Sequence, residues 1–120
     1  MTQDLPTARE LLEAVREFLS ERVAPELEGH TAFHTRVAIN VLALLERELE
    51  LGPGLDAAEQ ERLETLLGRQ GSLDELNTEL AQDLRQGRFD GRRDEVVAHL
   101  WETVRGKLLI ANPRYIDEPD

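Results

Sequence analysis

The chain has 120 residues, no cysteine, 40% hydrophobic side chains and a formal net charge of −11. That length suits a single domain able to bury a core without staples, and the missing thiols exclude disulfides and thiol catalysis and point to a reducing compartment. The acidic balance disfavours nucleic-acid backbones and anionic membranes and favours a partner with a basic face.

Helix starts are legible along the chain. Thr7-Ala8-Arg9-Glu10, Asp56-Ala57-Ala58-Glu59 and Ser72-Leu73-Asp74-Glu75 each have the capping-box form, a short acceptor three residues before a glutamate. Gly52-Pro53, Gly68 and Gly87 occupy stop-like places, and Pro113 forbids continuation of the last helix and forces Asn112 out of the α region. The pattern predicts five helices, at roughly 8–24, 31–51, 57–67, 73–86 and 92–111, and no strand. The expected fold class is all-α: one domain over 1–120, a compact and mostly antiparallel bundle around the helix near 31–51. Residues 1–6 and 116–120 are expected to be flexible tails.

The first helix puts Leu11, Leu12, Val15, Phe18 and Leu19 on one side and Glu10, Glu13, Glu17 and Glu21 on the other. In the second, Asn40 is the only polar side chain between Val37 and Leu45, which predicts a helix buried nearly all round. At about 100° per residue, Arg36, Asn40 and Arg47 share one stripe of it. Two guanidiniums and an amide there form either an internal polar network or a docking point. The fourth helix carries Leu73, Leu76, Leu80 and Leu84, the fifth Val96, Val97, Leu100, Trp101, Val104 and Leu108. Lys107 lies on the apolar side of that last helix, where snorkelling or a salt bridge to Glu48 would accommodate it. Tyr115, just past Pro113, is expected to lay its ring against the bundle.

Chemistry-bearing patterns are sparse. Glu26, His30 and His34 recur at four-residue steps, but Gly29 interrupts them and the set is incomplete for a metal. The only serines are Ser20 and Ser72, neither in a nucleophile elbow, and no phosphate-cradling glycine loop occurs. Arg85, Arg88, Arg92 and Arg93 make a local basic cluster that hints at an anionic contact. No export signal is read at the N-terminus, and no apolar run is long enough for a bilayer, so a cytoplasmic protein is expected.

Phe33-His34-x-Arg36-Val37-Ala38-x-Asn40, Arg47-Glu48-x-x-Leu51-Gly52, Leu76-Asn77-x-x-Leu80, Lys107-Leu108 and Asn112-Pro113-Arg114-Tyr115 stand in one order. With these elements the chain resembles the DUF6285 family of short bacterial proteins. The resemblance implies an all-helical protein encoded beside an aminoglycoside-phosphotransferase-like kinase and an acyl-CoA dehydrogenase. It implies a partner-binding surface or polar network at His34, Arg36, Asn40, Arg47, Glu48, Asn77, Lys107, Asn112 and Tyr115, with no catalytic residue established for the family; from the residues themselves no metal or cofactor is expected. The leading expectation is a non-catalytic accessory subunit of that phosphotransferase-like kinase, acting on hydroxyacyl-CoA in acid catabolism. Its alternatives are an interaction module, as a homodimer, without a role in phosphorylation, and a stand-alone enzyme or acyl-CoA binder.

Overall fold

A computed structural model describes residues 5–117, and the side chains of residues 5–115. All regular structure among them is helical, as the sequence predicts, in five α-helices: α1 (Ala8–Phe18), α2 (Gly29–Leu67), α3 (Leu73–Arg85), α4 (Arg93–Ala111) and α5 (Pro113–Asp117). None of the described helices is long and apolar enough to cross a membrane. The chain divides into two compact units, Met1–Gly52 and Pro53–Asp120. The expected tails fall mostly outside the described residues; of those described, Leu5 and Pro6 are exposed, while residues 116 and 117, expected to be flexible, close α5.

Two of the three capping boxes form. Thr7 accepts from the Glu10 amide while Glu10 accepts from the Thr7 amide, and Ser72 and Glu75 repeat the exchange. Both carboxyls are held below the ordinary glutamate value, chiefly by those hydrogen bonds. The third box, Asp56 to Glu59, lies inside α2, where the amides already have carbonyl partners and nothing needs a cap.

The expected stop at Gly52-Pro53 does not occur, and the second and third predicted helices are one. Pro53 leaves the carbonyl four residues back without an amide, but Gly52 has no Cβ to meet the proline ring, so the usual restriction on the preceding residue is relaxed. The Glu48 carboxylate lies over Gly52, 3.0 Å from where a Cβ would be. The stops at Gly68 and Gly87 do occur, at φ of 71° and 75°, a region other residues rarely enter.

Regular α1 ends earlier than predicted. The chain widens into a π turn over Leu19–Val23, where the Ala24 amide reaches Leu19 O, and tightens into a 3₁₀ turn containing Pro25. Pro25 has no amide to continue the α ladder. Asn112 leaves the α region (φ −156°, ψ 78°) as its following proline requires, and Pro113 then starts α5.

The units differ in what they bury. In the second, Leu63, Leu66, Leu76, Leu80, Phe89 and Val96 form the core, with Leu67 and Leu73 packed against it. In the first, Ala32, Glu46 and Gly52 are the buried positions among the described residues.

Candidate functional site

The first unit is an antiparallel pairing of α1 with the N-terminal part of α2. Arg16 Nε and Nη2 donate to the two carboxylate oxygens of buried Glu46, and Arg9 pairs with Glu50 at 3.4 Å. The Glu46 hydrogen bond raises the already high pKa of Arg16. These pairs fix the register: Leu11 lies level with Leu49, Val15 with Leu45 and Phe18 with Val41. None of those six is covered. Their exposures run from 41% at Leu45 to 59% at Phe18.

The expectation of a helix buried nearly all round is therefore overturned for residues 33–49, where Phe33, Val37, Val41, Leu45 and Leu49 are all exposed. Only one flank of α2 has α1 to cover it. The polar stripe survives in its predicted alignment. Arg36 and Asn40 are exposed, Arg47 is half-buried, and at about 100° per residue all three lie about 140–180° around α2 from Leu45 and Leu49. The hairpin thus has an apolar face and, opposite it, a charged one.

The remaining residues implied by the resemblance sit as follows. His34 is exposed, edge-on to the Phe33 ring at 5.4 Å, and Glu48 is exposed above Gly52. In the second unit, the Asn77 amide donates to Glu59 at 3.2 Å on the surface. Lys107 and Asn112 are exposed. Tyr115 does not tuck inward: it is 67% exposed, because α5 carries it beyond the last turn of α4. Five of the nine therefore belong to one unit and four to the other.

The second unit contains a constellation that the sequence reading missed. Arg62 Nε donates to His99 Nδ1 (3.1 Å) and Arg62 Nη2 to Thr103 Oγ1 (3.0 Å), tying α2 to α4. His99 is buried, and burial first, then the Arg62 charge, hold its pKa below the ordinary histidine value. A neutral imidazole is what can accept from a guanidinium. Arg62 and His99 line an open cleft of about 460 Å³ with Glu61, Glu95, Ala98 and Glu102. The available signal was the four-residue step from His99 to Thr103 on the side of α4 that carries Val96.

Two members of the arginine cluster have internal duties, which removes the reason to assign them an anionic ligand. Arg88 pairs with Asp83 at 3.0 Å. Arg92 pairs with Glu95, donates to Leu66 O at 3.0 Å and stacks 5.2 Å above the Phe89 ring. Arg85 and Arg93 are exposed.

The outer side of α4 is apolar. Val97, Leu100, Trp101 and Val104 line a shallow hollow, and Trp101 is 67% exposed. The same helix buries Val96, His99 and Gly106 on its other side, where a Cβ on Gly106 would meet Leu55 at 3.2 Å.

The sequence model of the domain of unknown function DUF6285 matches residues 25–115. The chain belongs to that family. No curated protein and no solved structure matches the chain.

Proposed function

We propose that this DUF6285 protein is a non-catalytic interaction subunit. In the setting implied by the family resemblance, its partner is an aminoglycoside-phosphotransferase-like kinase acting on hydroxyacyl-CoA in acid catabolism. The observation that carries the reading is the outer face of α4, with Val97, Leu100, Trp101 and Val104 open to solvent beside one another. A large aromatic at the centre of a small apolar patch has the composition of an interface hot spot. Two further observations support it: Ser72 is committed to a helix cap, and the polar constellation at Arg62, His99 and Thr103 joins helices to each other.

The subunit acts by favouring the kinase conformation that it binds best, and the shift is bounded by its differential affinity for the two states. Co-purification with the neighbouring kinase, followed by phosphorylation assays with and without the protein, tests this. The expected result is a complex with raised turnover, weakened at least tenfold by Trp101→Ala. No complex and equal turnover, or turnover of an acyl thioester by this chain alone, would remove the reading.

A further inference from the structure

We infer that the hairpin of the first unit pairs through its apolar face with the same face of a second copy, forming a four-helix bundle. This rests on the reading of the chain as an assembly subunit and names a partner for one of its faces.

A helical hairpin has one seam, and here that seam is closed by Arg16–Glu46 and Arg9–Glu50. Leu11, Val15 and Phe18 fall within about 60° of one another on α1, roughly 100–160° around the helix from Arg16. On α2, Leu49, Leu45 and Val41 lie about 60°, 100° and 140° around from Glu46, which puts all six on the same side of the antiparallel hairpin, with Phe18 and Val41 turned furthest from the seam. Six large apolar side chains therefore form a contiguous layer with nothing stacked on it, while the unit's buried positions among the described residues amount to one alanine, one glycine and a carboxylate. Stable helical architectures place a second layer on such a face.

Area identifies the occupant. At about half exposure each, six side chains of this size present on the order of 500 Å², so two facing copies cover about 1,000 Å² before any rim is counted, which reaches the lower bound for a specific interface. The four residues of the α4 face, paired with themselves, reach only about 700–800 Å², the size of a packing contact. Symmetry also suits the hairpin. A two-fold axis near Val15 and Leu45 sets the Leu11/Leu49 end of one copy against the Phe18/Val41 end of the other, so every apolar residue meets an apolar residue. The stripe of Arg36, Asn40 and Arg47 lies on the opposite face and stays outside the contact.

Light scattering of the full chain at micromolar concentration tests the inference without the kinase. The expected mass is twice the 13.6 kDa of one chain. Val15→Glu with Leu45→Glu, and separately Val41→Arg, should return the monomer mass with unchanged helix content, since these positions are already half exposed. Trp101→Ala and Arg36→Glu should leave the dimer intact. A monomeric wild-type chain overturns the inference, as does a dimer that survives all the hairpin variants or is lost in Trp101→Ala. Failure here leaves the kinase co-purification result standing, and failure of that experiment leaves this mass unchanged.

Discussion

The two units use helices of similar composition to opposite ends. Pro53–Asp120 brings three helices and the segment at Phe89 against one another and buries six apolar residues; the hairpin within Met1–Gly52 has two helices, covers Leu12, Leu19, Ile39 and Leu42 only in part, and leaves Leu11, Val15, Phe18, Val41, Leu45 and Leu49 about half in water. Layer count, not hydrophobicity, makes the difference. An apolar stripe in a helix states that something must cover it, without saying whether the cover comes from the same chain.

The largest expected effects lie in the second unit. Leu63→Ala and Leu76→Ala, at positions with no residual exposure, should each cost about 2–5 kcal/mol in urea unfolding. Leu45→Ala, chemically identical but 41% exposed, should cost under about 1 kcal/mol at concentrations where the chain is single. Equal losses at all three would erase the distinction between the units. In the hairpin the costliest deletion should be polar. Glu46→Ala strands the Arg16 guanidinium in the seam and should cost about 1–2 kcal/mol, read as earlier melting of α1.

Smaller effects come from the caps. Ser72→Ala and Thr7→Ala each remove one side-chain acceptor for a helix-start amide and should cost about 1 kcal/mol. The first should lower the melting temperature of the core unit, the second should increase amide exchange within α1 alone.

The smallest contrast is in pH. His99 is held below its ordinary value of 6.5, so the unfolded chain takes up the proton first. Its contribution to stability is complete above 6.5, falls as pH drops through that value, and levels off below the lowered folded value. Denaturant titrations across this window should show the loss in the second unit, and His99→Gln should flatten it. The capped Glu10 and Glu75, also lowered, lose their contributions at more acid pH, one in each unit.

Much of the fold is legible in the sequence because it is written locally. Thr7 to Glu10, Ser72 to Glu75, Gly68, Gly87 and Asn112-Pro113 each act within a few residues of themselves, and each does what its chemistry dictates. Gly52-Pro53-Gly54 misleads because two residues read as breakers partly compensate: without a Cβ, Gly52 relieves part of the clash between the proline ring and the residue before it. The Val37–Leu45 run misleads for a different reason. Its spacing fixes that Arg36, Asn40 and Arg47 align, but how many helices pack around α2 is a tertiary fact, and the half-exposed Val41 and Leu45 record it. The contact of Arg62 with His99 spans 37 positions, so no local pattern announces it.

The central claim is that the hairpin face is completed by another chain while the second unit stands on its own core. Amide hydrogen exchange measured across a range of protein concentrations tests it directly. Protection in α1 and in residues 29–52 should rise with concentration while α3 and α4 stay constant. Protection that is independent of concentration throughout would contradict the account.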